Sequence, residues 1–135
     1  MSQKPIPFTP SNKVEQLQAE AATSIEKRAE FWEELLNSEV YVLSEEIDGE
    51  EMLLTWQGAG EDACGVFTSE EKIIGAMPPD TPYIIINARV IFESMANEGL
   101  GTFINPRYEP SVRVKSEEIK SMLNGNYHEV IGRNT

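Results

Sequence analysis

Around residue 38 the hydrophobic spacing of this chain changes period. Up to Leu36 the apolar residues fall at helical intervals: Val14, Leu17 and Ala21 in one stretch, then Ile25, Phe31, Trp32, Leu35 and Leu36 in a second. From Val40 they come as short runs instead. Val40-Tyr41-Val42-Leu43, Met52 to Trp56, Cys64 to Phe67 and Tyr83-Ile84-Ile85-Ile86 are each bounded by turn-forming residues. Two helices therefore come first, and a sheet is assembled after them. Further helical stretches open at Thr68, Arg89 and Ser116, and short strands are expected at 101–104 and 112–114. The order defines an α+β (mixed α/β) fold, a single compact domain whose mixed sheet is covered by helices.

Local signals refine this outline. Ser11 or Asn12 caps the first helix, with Glu15 three residues after Asn12, and Thr68 and Glu71 form a capping box for the helix after the third strand. Asp48-Gly49 suits a hairpin turn between the first two strands. The uninterrupted apolar run Tyr83–Ile86 predicts a central strand buried on both faces. Gly99 and Gly125 stand where helices should end. Residues 1–11, with three prolines among the first ten, read as a loose N-terminal arm, 12–124 as the domain, and 125–135 as a tail.

Charge narrows the range of partners. Eleven Lys and Arg oppose 23 Asp and Glu, a formal net charge of −12. Such a surface repels phosphate backbones, which argues against nucleic acid and anionic membranes and suits docking to a basic protein. No apolar run approaches the ~20 residues that span a bilayer. The start MSQKPIPFTP has neither the basic nor the apolar region of a secretory leader, so a cytoplasmic location is expected. Cys64 is the single cysteine, which rules out an intramolecular disulfide; in an apolar run with no histidine nearby it reads as a small core hydrophobe.

The usual catalytic constellations do not assemble. One histidine, His128, and one distant cysteine cannot build a common zinc site, and the acidic Glu45–Glu51 segment lacks the alternating ligands of a calcium loop. The GAG at 58–60 leads into Glu61-Asp62, which would oppose a phosphate, and GLG lacks the rest of a dinucleotide fingerprint. Glu70-Glu71 and Glu117-Glu118 are explained by helix starts, where carboxylates are favoured. No catalytic residue, cofactor or metal site is expected. Trp32, Trp56 and Phe92 lie in core-forming or strand-end patterns and are read as packing residues.

Asn105-Pro106-Arg107-Tyr108 is the one abrupt polar ending of a strand. Proline stops the ladder and biases Asn105 toward extended geometry, while the Asn105 amide can tie the turn. A strand end is also where binding residues commonly sit.

NKVEQLQAEAAT, RAEFWEELLNSEVYVL, GVFTSEEKI and GLGTFINPRYEPSVRVKSEEIKSML, in that order, resemble the N-terminal domain of the SseB (enhanced serine sensitivity) family over about residues 12 to 124. The resemblance implies a compact bacterial mixed α/β domain with no established catalytic activity. The family commonly has Asn-Pro-Gly where this chain has Asn105-Pro106-Arg107, so a locally different turn is expected, because arginine resists positive φ. The leading functional expectation is a non-catalytic protein-interaction or regulatory module. Its candidate contacts are Asn105, Pro106, Arg107 and Tyr108 and the acidic Glu45, Glu46, Asp48, Glu50 and Glu51; homodimerisation through an exposed strand edge is compatible with this reading and with its alternative. The alternative is a small-molecule sensor or enzyme with its pocket near Asn105, Arg107 and a tryptophan.

Overall fold

The computed structural model describes residues 6–57, 61–109, 111–127 and 133–134. The first segment, β1 (Ile6–Pro7), leads to α1 (Lys13–Ala21) and α2 (Ile25–Leu36). Asn12 caps α1 by accepting the Glu15 N–H at 2.9 Å. The chain then enters β2 (Glu39–Ile47), turns, and returns as β3 (Glu50–Leu53). Asp48 and Gly49 both take positive φ, 52° and 84°, the pair of left-handed residues that a two-residue hairpin needs. At Leu54 the returning strand changes partner: β3 pairs with β2, whereas β4 (Thr55–Gln57) pairs with β5 (Asp62–Phe67).

After β5 come α3 (Glu70–Ala76), β6 (Tyr83–Asn87), α4 (Ala88–Asn97) and β7 (Gly101–Ile104), then β8 (Tyr108–Glu109), β9 (Val112–Val114), α5 (Ser116–Leu123) and β10 (Arg133–Asn134). The main sheet runs β10-β9-β7-β5-β2, with β3 and β6 also on β2 and β4 also on β5. Its one parallel contact is central, β5 beside β7 with Val66 opposite Ile104; the other pairings in this sheet are antiparallel. A separate small parallel ladder joins β1 to β8.

Strand alternation divides the core between two faces. Val40, Val42, Cys64, Val66, Ile104 and Val114 turn toward α1, α2, α4 and α5, meeting Leu17, Phe31, Trp32, Leu35, Phe92, Met95, Ile119 and Met122. On the opposite face Leu43 and Phe67 pack with Ile73 and Ala76 of α3, with Tyr108 and with Ile6 and Phe8. The two N-terminal helices and the mixed sheet are therefore as expected from the change of hydrophobic period.

Several local expectations are corrected. Among the described strands β6 pairs with β2 alone, which makes it an edge, and its side chains alternate between exposed and half-buried; four consecutive apolar residues meant an uncharged edge and not a strand buried on both faces. The cap of α3 is Ser69, whose hydroxyl oxygen accepts the Lys72 N–H at 3.3 Å, because Thr68 is turned inward. Ser116 begins α5 without capping it, and gives its N–H and hydroxyl to the Glu61 carboxylate at 2.7 and 2.9 Å. Residues 6–11 are docked: Ile6 N–H donates to Arg107 O at 2.8 Å, and Phe8 meets the Tyr108 ring edge-on at 6.2 Å. Gly99 and Gly125 end their helices with φ of 71° and 81°, as expected of C-terminal glycines.

Trp56 covers Gly65, where an added Cβ would come within 2.8 Å of the indole. Gly65→Ala must therefore lift that ring from the sheet and from Phe103, 5.9 Å away. The expected cost is about 1–3 kcal/mol in denaturant unfolding, accompanied by a red shift of Trp56 emission, since Trp32 is already buried in the other layer.

Candidate functional site

In open parallel α/β sheets, ligands are usually met beyond the carboxyl ends of the strands. Here that position is the level of Thr68 and Asn105, which directly follow the paired strands β5 and β7. Asn105 is fully buried. Its N–H donates to Val66 O at 2.7 Å, and its Oδ1 accepts the Thr68 N–H at 3.1 Å. Its amide nitrogen donates to Gln18 Oε1 at 2.8 Å and to the Thr68 hydroxyl at 2.9 Å. That hydroxyl spends its own proton on Glu15 Oε2, 2.6 Å away. Every polar atom of the Asn105 side chain is thus used inside the fold.

The second half of the cluster is ionic. Glu15 and Lys72 are 0% and 2% exposed, and Lys72 Nζ lies 3.1 Å from Glu15 Oε1. The same carboxylate oxygen accepts the Ser11 N–H and hydroxyl at 2.8 and 2.6 Å. Lys72 Nζ also donates to Thr9 O at 2.7 Å and sits 5.3 and 5.6 Å from the Phe8 and Tyr108 ring centres. The ammonium is therefore caged by a carboxylate, a carbonyl and two aromatic faces. Asn12 closes the cluster from the α1 cap, donating to Thr68 O at 2.9 Å.

The corner itself departs from the expected geometry. Asn105 has φ 52°, left-handed and not extended, because its gripped side chain and N–H outweigh the preference imposed by Pro106. Arg107 has φ 73°, so the conformation that glycine would take is kept by arginine. Its guanidinium donates to Ala76 O at the end of α3, which offsets part of the steric cost. Pro106 and Tyr108 are buried and Arg107 is exposed. The Tyr108 hydroxyl donates to Lys72 O at 2.7 Å, and Gly75 leaves room for it, since a Cβ there would come within 2.5 Å of that oxygen.

The ionisable groups are driven away from neutrality. Burial pushes the Glu15 carboxyl up, but hydrogen bonds from Ser11, Thr68 and Ser69 outweigh it and hold the pKa below its ordinary value. Burial, then the charges of Glu15 and Glu71, push the Tyr108 phenol up. Cys64 lies outside the cluster; burial, then Glu98 and Asp62, raise its thiol to about 11, which keeps it protonated and unreactive. A proton-transfer site needs pKa values near the working pH, and these shifts run the other way.

The other candidates are dispersed. Glu45, Glu46, Asp48 and Glu50 are exposed on the β2–β3 hairpin, with Glu51 in register opposite Glu46. Trp32 and Phe92 are in the helix-side core, and Trp56 is on the opposite face of the sheet. His128 lies outside the described residues. Among the described residues no three His, Cys, Asp or Glu side chains come together as a metal-binding group. A surface hollow of about 300 Å³ is bounded by Lys13, Leu17, Glu30, Glu33, Glu34 and Asn37, and another of about 210 Å³ lies between Ile74, Met77 and Tyr83; neither is lined by Asn105 or Arg107. No described helix is long and apolar enough to cross a membrane.

The buried cluster was not legible beforehand. Glu15 had an adequate explanation as a capping residue, and nothing in the spacing of Lys72 separates it from an exposed lysine.

Two outcomes test the cluster. Lys72→Met or Glu15→Ala alone strands a buried charge and is expected to cost about 3–5 kcal/mol, whereas the double substitution costs clearly less than the sum of the two; a denaturant double-mutant cycle measures the difference. Because the Glu15 pKa is depressed in the fold, its contribution is fully present above the unfolded value near 4.5 and is lost as pH falls through the folded value. The stability gap between the parent chain and Glu15→Gln is therefore expected to be flat from pH 8 to about 5 and to shrink below about 4.5, as read from urea midpoints.

A family profile described as the SseB protein N-terminal domain matches residues 14–121. No curated protein and no solved structure matches the chain.

Proposed function

The chain belongs to the SseB family, as its N-terminal domain, and from that premise we propose that it is a non-catalytic protein-interaction module that docks a basic partner on its β2–β3 hairpin. One observation carries this reading. Ile47 and Met52 are 48% and 47% exposed at the outer end of the hairpin, among the exposed acids Glu45, Glu46, Asp48 and Glu50. The register sets Glu45 opposite Met52 and Ile47 opposite Glu50, so one face alternates apolar and acidic groups. The backbone register also sets Glu46 opposite Glu51. Among the described residues, no cation forms an ion pair with Glu45, Glu46, Asp48 or Glu50.

A small apolar contact within an acidic field suits a partner that is steered electrostatically and then held by modest burial. Within the Asn105–Tyr108 corner only Arg107 is exposed, so that surface takes the lesser share of the proposed contact. The sealed Asn105 and the pKa shifts away from neutrality support a module without catalysis over a sensor or enzyme centred there.

The test is co-purification of the tagged full chain from its host with mild cross-linking, beside a Glu45→Lys/Glu50→Lys variant. The parent chain is expected to retain a protein partner in near-stoichiometric amount, with recovery falling as salt rises. The variant is expected to lose that partner while melting at the same temperature or slightly higher. Identical partners in both forms, or a chain recovered alone, would remove the hairpin reading; a thermal shift with small molecules would then favour the sensor.

A further inference from the structure

The edge strand β6 has a bonding pattern that bears on assembly. Its ladder to β2 pairs Glu39 with Asn87 through Leu43 with Tyr83. Just beyond the strand, Ala88 N–H donates to Ser38 O at 2.9 Å, and Ser44 N–H donates to Pro82 O at 3.3 Å. Hydrogen-bonded pairs alternate along an antiparallel ladder, so even-numbered residues of β6 turn their backbone groups toward β2. Tyr83 and Ile85 consequently direct both N–H and C=O outward, and Asn87 directs its N–H outward. Among the described strands, none pairs with that side.

Native edges are ordinarily guarded by charges, bulges or proline. From Thr81 to Ala88 this chain has no charged residue, although its net charge is −12. Pro82 does not guard the outer side, since it belongs to the set that faces β2. Ile85 is 53% and Tyr83 36% exposed, on the face where Tyr83 meets the Tyr41 ring at 5.7 Å. The charges that bracket the neutral stretch are Asp80 on one side and Arg89 on the other.

We propose that β6 pairs with β6 of a second copy, antiparallel about a two-fold axis at Ile85, to form a homodimer with one continuous sheet. In this register the two Ile85 residues exchange both backbone bonds, and each Asn87 N–H reaches the other copy's Tyr83 carbonyl. Tyr83 and Ile85 of both copies form one apolar row across the axis. The Asp80 end of each copy comes alongside the Arg89 end of the other, so the seam is complementary to itself in charge. Two chains of −12 can meet closely only where local charge cancels, and this stretch meets that condition. An unrelated strand would need no such symmetry of bracketing charges.

Sedimentation of the full chain up to about 100 μM is the test, with Ile85→Lys and Ile85→Cys beside it. The parent chain is expected to approach twice the chain mass as concentration rises. Ile85→Lys is expected to stay at the single-chain mass with an unchanged circular-dichroism spectrum. Hydrogen-bonded partners have Cα atoms about 5.5 Å apart, within disulfide reach. Ile85→Cys should therefore cross-link to a dimer under oxidation, while Ile47→Cys should not, and buried Cys64 gives no background. A parent chain that stays monomeric and does not cross-link through Ile85→Cys would overturn the proposal. A dimer unaffected by Ile85→Lys would overturn it too, as would a monomer that instead takes up an extended peptide of another protein along β6.

Discussion

The ion pair between Glu15 and Lys72 ties together parts of this chain that lie far apart in sequence. Glu15 is on α1 and Lys72 on α3, elements on opposite faces of the sheet, and the pair meets past the ends of β5 and β7. Removing both charges from water costs several kcal/mol per ion, and attraction alone does not repay that. The surrounding bonds settle the balance: Ser11 and Thr68 saturate the carboxylate, while Thr9 and two aromatic rings receive the ammonium. The pair holds residues 8–12 against the domain because those residues supply its partners. Thr68, Gln18 and Asn105 then extend the same network to the strand ends.

This arrangement gives the corner after β7 a structural task. A backbone at φ 52° and then 73°, either side of a proline, is unfavourable for asparagine and arginine alike. It persists because the Asn105 amide is held at both ends and the Arg107 guanidinium reaches Ala76 O. The place where related sheet architectures open a ligand cleft is filled here by the chain's own polar groups, whose pKa shifts favour fixed charge states over proton exchange.

Two peripheral surfaces contrast in charge. The β2–β3 hairpin concentrates exposed acids around Ile47 and Met52, whereas the chain carries no charge between Asp80 and Arg89. Both adjoin β2, which holds β6 over Glu39–Leu43 and β3 over Ser44–Ile47. The first surface is the one proposed for a basic partner and the second the one proposed for a copy of the chain, and they occupy different stretches of β2.

The sequence by itself determined the element types and much of their order. Val14, Leu17 and Ala21 repeat at helical spacing, Asp48-Gly49 accepts left-handed geometry, and Gly99 and Gly125 can end helices, all through short-range sterics and periodicity. The acidic hairpin was legible for the same reason, since exposed charge is a property of composition. Only the tertiary structure decided which polar residues are inside. Glu15, Lys72, Gln18 and Asn105 become a buried network because segments 37 to 87 residues apart in sequence converge there, and no local pattern encodes that convergence. It also decided that Tyr83–Ile86 is an edge: an apolar run reports hydrophobicity, but the number of neighbours a strand acquires depends on where the rest of the chain is placed.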